Sequence, residues 1–189
     1  MWANELIEEP LENYLNEITY GFTNPMPDTD EGPWKITAKD VTNEGINFQT
    51  ARKTKQEDFN LLTAKSKPVI NDILVTKDGS LGRIALVNQD NICINQSVAL
   101  LRCNERVLPK FLVSLLKMDD YQNKMLADAG GVTIKHIYIT RLAKMVVKIP
   151  CLDKQSEWLE FLHQVDKSKF ELQKGRKVLA TIQKWNILY

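Results

Sequence analysis

The chain has 189 residues, of which 43% are apolar and 26% charged, with a formal net charge of +1; this is ordinary globular composition, enough for one domain with a full core plus an appendage. No apolar run approaches the roughly 20 residues of a membrane span, and Met1-Trp2-Ala3-Asn4-Glu5 lacks the basic start of a signal peptide, so membrane and secreted classes are set aside. Charge is unevenly spread: eight acidic residues and no Lys or Arg precede Lys35, leaving a basic balance of +9 (25 against 16) in the remainder. An acidic start ahead of a basic body fits either a solvated acidic helix or a protein whose body faces phosphate. Cys93, Cys103 and Cys151 have no Cys-x-x-Cys spacing and read as reduced, mostly buried thiols of a cytoplasmic protein.

In chain order, Leu6, Leu11, Tyr14, Leu15 and Ile18 fall at helical spacing and predict a helix from Glu5 to Ile18. Gly21 to Trp34 holds three prolines, two glycines and three acids and reads as loop. Trp34 to Thr37 predicts a strand, and Gly45 to Phe48 alternates as a second. Arg52, Lys53 and Lys55 follow in a polar segment, either a solvated loop or one that contacts phosphate. Phe59 to Leu62 is short helix.

The centre of the chain is the most informative stretch. Ile73 to Thr76, Ile84 to Val87, Ile92 to Ile94 and Val98 to Leu101 are short apolar, β-branched runs with little room between them. They predict an antiparallel meander. The connection Lys77-Asp78-Gly79-Ser80-Leu81-Gly82-Arg83 carries the Asp-Gly hairpin signal, and Asn95-Gln96-Ser97 separates the last two runs. Lys77, Ser80, Arg83, Asn95, Gln96 and Ser97 are residue types that contact phosphates and base edges. Pro109 then opens an amphipathic helix that runs to about Asp128, stopped by Gly130-Gly131. Val132 to Tyr138 reads as strand or loop, and Arg141 to Ile149 alternates into a final strand closed by Pro150. From an Asp153 N-cap onward, Trp158, Leu162, Val165, Lys169, Leu172, Arg176, Leu179 and Ile182 recur mostly at alternating steps of four and three. That is a coiled-coil seam with two basic interruptions, and a rod on the order of 50 Å needs a partner helix.

The central loop and the Asn-Gln-Ser turn resemble the target recognition domain of type I restriction-modification DNA specificity subunits. Four further landmarks agree in order: Ile18-Thr19-Tyr20-Gly21-Phe22-Thr23-Asn24-Pro25, Ile36-Thr37-Ala38-Lys39-Asp40-Val41, Gly130-Gly131-Val132-Thr133-Ile134-Lys135-His136, and the polar helical tail after Pro150. The resemblance covers roughly residues 10 to 189. It implies an α+β fold, with a β-rich target recognition domain and flanking helices over 1–150 and a long coiled-coil spacer helix over 151–189. It implies double-stranded DNA as ligand, with Lys39, Lys77, Ser80, Arg83, Asn95, Gln96, Lys135 and His136 beside it. Lys135 is expected on phosphate, and His136 on phosphate or a base edge, although a lone His is also a common structural hydrogen bonder. Arg52, Lys53 and Lys55, outside any motif, are expected to contribute to specificity.

No chemistry is spelled out. There is no Asp-x-Lys or Glu-x-Lys for a metal-dependent nuclease, no phosphate-binding Gly-x-x-x-x-Gly-Lys loop, and no methyl-donor glycine fingerprint. Asn24-Pro25-Met26-Pro27 echoes the Asn-Pro-Pro-aromatic motif of amino-methyltransferases, but it lacks the adjacent prolines and the aromatic. It reads as a turn. Two histidines 27 apart and scattered cysteines define no metal site, so neither metal nor cofactor is expected. Full-length specificity subunits carry two recognition domains and two spacer helices, and this chain has one of each. The expectation is an antiparallel homodimer paired through Trp158, Leu162, Val165, Leu172, Leu179 and Ile182. It would present two recognition domains about 34 Å or more apart to an interrupted palindrome. Its partners would be a methyltransferase subunit and, as a further candidate, a restriction subunit. The alternative is a half-subunit that docks on a methyltransferase as an assembly or regulatory protein without reading DNA.

Overall fold

The computed structural model describes residues 6–127 and 136–186. Its strands are β1 (Ile7–Pro10), β2 (Leu15–Tyr20), β3 (Thr29–Ile36), β4 (Arg52–Lys53), β5 (Ile73–Thr76), β6 (Ile84–Leu86), β7 (Ile92–Ile94), β8 (Val98–Cys103) and β9 (Val146–Ile149). The helices are α1 (Gln56–Leu61), α2 (Pro109–Leu116), α3 (Asp119–Ala127), α4 (Ile139–Lys144) and α5 (Leu152–Asn186). Among the described residues three sheets result, in the orders β2-β8-β5-β6, β4-β3-β7 and β1-β9. The fold is mixed α and β, with a long C-terminal helix.

Strands β5 and β8 lie in the middle of the largest sheet and are covered on both faces. Because side chains alternate along a strand, Ile73, Val75, Ala99 and Leu101 point into one core with Leu112, Leu116, Met125 and Ile149. Leu74, Val98 and Leu100 point into the other, against Ile36, Ile92 and Ile94 of the three-stranded sheet. Two-sided burial explains why these strands read as continuous apolar runs. An ion network closes one end. Arg102 grips Asp72 with Nε and Nη2 (2.9 and 2.7 Å) and reaches Glu17 with Nη1 (2.9 Å).

Several expectations give way to tertiary pairing. The helix expected from Glu5 to Ile18 is two strands joined by a 3-10 turn at Leu11–Tyr14. Leu11 and Tyr14, three apart on that turn, share one buried face, which imitates helical spacing. The central meander is not continuous: β5 pairs antiparallel with β6 and β8, whereas β7 leaves to pair parallel with β3. The loop expected over 21–34 yields to β3 from Thr29 onward, and Gly45–Phe48 forms no strand, only the bridge Val41↔Ile46. Arg52 and Lys53 sit on a short strand rather than a loop, and α1 keeps no residue buried. The single helix after Pro109 breaks at Lys117–Met118 into α2 and α3, whose first turn carries Asp119 and Asp120, favourable at a helix N-terminus. The strand expected over Arg141–Ile149 begins with α4, and α5 starts one residue before Asp153. Gly130-Gly131 and Val132 to Lys135 lie outside the described residues. Cys93 is buried, Cys103 half-buried and Cys151 exposed, so the third thiol departs from the expected burial; desolvation pushes the first two up to about 12.

Helix α5 is seated on the body by its first two turns. The fully buried Gln155 side chain accepts from Leu108 N (2.8 Å) and donates to the carbonyls of Pro150 (2.8 Å) and Arg106 (3.1 Å). Trp158 Nε1 donates to Ser114 Oγ at 3.0 Å, and Trp158 and Leu159 pack against the core. Beyond them Phe161, Phe170 and Leu172 are exposed by 54, 57 and 69%. No helix among the described residues is long and apolar enough to cross a membrane.

Replacing Gln155 with Leu strands one amide and two carbonyls in a buried joint; we expect a loss of about 2–3 kcal/mol in a denaturant titration. Gly21 gives a second expectation. A Cβ there would lie 1.8 Å from the Ile94 carbonyl oxygen, backbone against backbone. Gly21→Ala should therefore cost about 1–3 kcal/mol and lower Tm by several degrees. An unchanged melting curve would show that the β2 exit tolerates displacement.

Candidate nucleic-acid interface

The loops at one end of the two larger sheets are tied to a single turn, Asn95-Gln96-Ser97. Asn95 Oδ1 accepts from the Ser97 amide (3.1 Å) and from Ser97 Oγ (2.6 Å), closing the turn on itself. Ser97 Oγ in turn accepts from Ala38 N (2.9 Å), and Asn95 N donates to Ile36 O (3.1 Å), which fastens the turn to β3 and its successor. Gln96 N donates to Phe22 O (2.8 Å). Ser97 O accepts from both Lys77 N (2.9 Å) and Asp78 N (3.3 Å). Ile137 N donates to Lys77 O at 2.9 Å, so the segment before α4 joins the same assembly.

The β5–β6 connection is shaped by Thr76, whose Oγ1 donates to Ser80 O and accepts from Arg83 N (2.9 Å). Gly82 sits at φ +75°, and a Cβ there would meet Gln122 Oε1 at 2.9 Å, while Gln122 Nε2 donates to Gly82 O (3.0 Å). The second glycine of the loop is thus favoured by its left-handed backbone conformation, while a side chain there would only push the Gln122 amide aside.

These loops enclose an open cleft of about 960 Å³, whose walls include Asn24, Lys39, Arg52, Ser80, Asn95 and Gln96. A smaller hollow of about 300 Å³ shares Thr23 and Gln96 with it and is lined by Tyr20, Lys77, His136 and Tyr138. Cations lie over both tyrosines: Lys77 Nζ is 5.5 Å from the Tyr20 ring centre and the Arg141 guanidinium 5.3 Å from that of Tyr138. Asp78 is held between Lys77 Nζ (2.6 Å) and His136 Nδ1. Burial is the largest single influence and acts to raise the Asp78 carboxyl, but the hydrogen bonds from Lys77 and His136 and the attraction of both groups together keep it below the usual carboxylate range.

The expected residues therefore divide. Lys39, Arg52, Ser80, Asn95 and Gln96 come together in the main cleft, and Lys77, Gln96 and His136 in the hollow beside it. Asn95 spends its carbonyl on the turn, whereas Gln96 is exposed. Lys53 lies over the Trp34 ring at 4.7 Å, Lys55 immediately precedes α1, and Arg83 Nη1 sits 3.5 Å from Val41 O; none of these three lines the cleft. Lys135 lies outside the described residues. Of the expected helix seam, Trp158 is engaged with its own domain, Leu162 and Val165 are half-buried and Leu172 is exposed; the side chains of Leu179 and Ile182 lie outside the described residues. Sequence reasoning passed over Asp28, Lys35, Tyr20 and Tyr138. Lys35 and Asp28 carried a faint signal: Lys35 is the first basic residue of the chain, and Asp28 is one of the eight acids that precede it. Among the described residues, no group of His, Cys, Asp and Glu is placed to hold a metal ion.

Residues 17–181 match the family model described as the type I restriction modification DNA specificity domain. The chain is 27% identical over 166 residues to the type I restriction enzyme EcoBI specificity subunit of Escherichia coli, covering 87% of this chain and 35% of that protein. Solved structures share the fold. One, from work on complex assembly and conformational transition of the type I R-M system, has a TM-score of 0.68 at 17% identity, over 90% of this chain and 40% of the other. The S subunit from M. genitalium gives 0.61 at 20% identity, over 86% and 39%. The HsdS subunit from Thermoanaerobacter tengcongensis gives 0.64 at 15% identity, over 92% and 40%. The chain thus spans well under half the length of each. With the family model covering most of the chain and the fold agreeing across three solved structures, the protein belongs to the type I restriction-modification DNA specificity family.

Proposed function

We propose that the chain is a DNA-recognition unit of a type I restriction-modification system, in which residues 1–150 read one part of a bipartite site and 151–189 form the spacer and pairing helix. The carrying observation is the cleft around Asn95-Gln96-Ser97, which gathers Lys39, Arg52, Asn24, Ser80 and Gln96 on a rigid frame. Exposed Lys39 and Arg52 suit phosphate; Asn24 and Gln96 have the paired donor and acceptor that match an adenine edge. Lys77 and His136 in the adjoining hollow are already bonded to Asp78, so they are less available to phosphate than free side chains would be. Modest intrinsic affinity then leaves part of the binding energy to a partner methyltransferase subunit that closes on the DNA, with a restriction subunit as a further partner.

Leu172, Phe161 and Phe170 expose apolar surface on a helix of 35 residues, about 52 Å long, with no covering element among the described residues. A second copy packed antiparallel as a coiled coil would cover Leu162, Val165, Leu172, Leu179 and Ile182 and set two recognition domains on an interrupted palindrome.

Binding of the chain with its methyltransferase to a specific duplex should weaken with salt, and Arg52→Ala should flatten the log–log slope by about one, as should Lys39→Ala. A complex that forms with the methyltransferase yet selects no sequence would assign the chain to regulation instead. For pairing, light-scattering mass should fall from dimer to monomer on Leu172→Glu. That substitution leaves the Gln155 and Trp158 joint intact; a monomeric unmodified chain would remove the symmetric model.

A further inference from the structure

Three carboxylates line the main cleft, and two are spent on the fold. Asp40 is buried: its Oδ2 accepts from Thr37 N (2.9 Å) and Thr37 Oγ1 (2.8 Å), and its Oδ1 from Thr50 Oγ1 (2.9 Å). Asp78 is held by Lys77 and His136. Asp28 differs. Its side chain is 58% exposed, only Oδ1 is engaged, by Lys35 Nζ at 2.5 Å, and Oδ2 makes no hydrogen bond among the described residues.

Lys35 makes Asp28 a defined acceptor rather than a mobile surface charge. It sits mid-sheet on β3, paired with Arg52 on one side and Cys93 on the other. Its ammonium is nearly buried, anchored on Met26 O at 2.6 Å, and needs a counterion. That counterion is Asp28, which this hydrogen bond holds below the ordinary carboxylate range and which Arg52 also favours as the anion. An ionised carboxylate only accepts hydrogen bonds. Facing a duplex, it is repelled by phosphate and finds donors solely on base edges. In the major groove those are the exocyclic amino groups, with cytosine N4 the usual partner of Asp.

We propose that Asp28, oriented by Lys35, is a specificity-determining residue that accepts a hydrogen bond from an exocyclic amino group of the target, cytosine N4 foremost. The assignment rests on the DNA-recognition reading above. Lys35 offsets the charge that would otherwise oppose the approach of phosphate, so the carboxylate contributes selectivity at little cost in affinity.

The test is selection from a randomised duplex library by the full chain in complex with its methyltransferase, comparing the unmodified protein with Asp28→Asn. The expected result is a preference at one base pair reduced about tenfold, with the other positions and the salt slope retained. An identical consensus and ratio at every position overturns the proposal while leaving recognition intact. A wild-type complex that enriches no sequence overturns the recognition reading itself. A second measurement uses the unmodified protein, so it stands even where the variant fails to fold. Each cytosine of the selected site is replaced in turn by an analogue lacking the 4-amino group. One cytosine should lose about tenfold in affinity; no loss at any cytosine overturns the proposal.

Discussion

Three residues, Asn95, Gln96 and Ser97, hold the candidate interface together. The chain turns there from β7 in one sheet to β8 in another, and the turn donates to or accepts from each of the three neighbouring loops. The Asn95 side-chain carbonyl accepts from Ser97 within the turn, and Ser97 Oγ accepts from the Ala38 amide just beyond β3. Gln96, between them, is left facing out. Backbone bonds of this kind pin position without restricting which side chains the loops carry. Such a frame suits a protein whose loops must change to read different bases while the scaffold stays the same.

Charge in the site is arranged by pairing rather than by accumulation. Lys35 is taken up by Asp28, Lys77 by Asp78, and the cations over Tyr20 and Tyr138 are partly absorbed by the rings. Among the described residues, Lys39 and Arg52 remain the exposed cations of the main cleft. On the proposed reading, a cleft of this composition would attract DNA weakly and discriminate by hydrogen-bond pattern, which fits a net charge of only +1. The same economy favours the proposed division of labour, in which a partner supplies grip and this chain supplies choice.

The long helix shows a related split between fixed and available surface. Its first turns are locked by Gln155 and Trp158, so its direction relative to the body of the protein is set by buried hydrogen bonds. Its later turns present apolar residues to solvent. A rigid joint is what the spacing of two recognition domains would require, because a loose one would blur the distance between half-sites.

Much was legible in the sequence where a local rule applied. The strands at Ile73–Thr76, Ile84–Leu86, Ile92–Ile94 and Val98–Cys103, the Pro109 helix start and the long terminal helix follow from β-branched runs, Pro at a first turn and an unbroken helical pattern. The ordered landmarks around Gly79, Gly82 and Asn95-Gln96-Ser97 determined the family, because glycines and turn residues mark backbone geometry that few other side chains tolerate. What only the tertiary structure decided was partnership. Leu11 and Tyr14 spaced like a helix became a 3-10 turn once β1 and β2 found β9 and β8. The fully buried run Ile92–Ile94 could have joined any neighbour, and it left the meander for β3. Asp28 and Lys35 became an ion pair only in the fold, where the segment before β3 turns back so that Lys35 reaches Met26 O and Asp28. Local sequence encodes backbone preference within a few residues, whereas which strand, charge or cleft wall stands opposite is settled by burial across the whole chain, where no short-range pattern reaches.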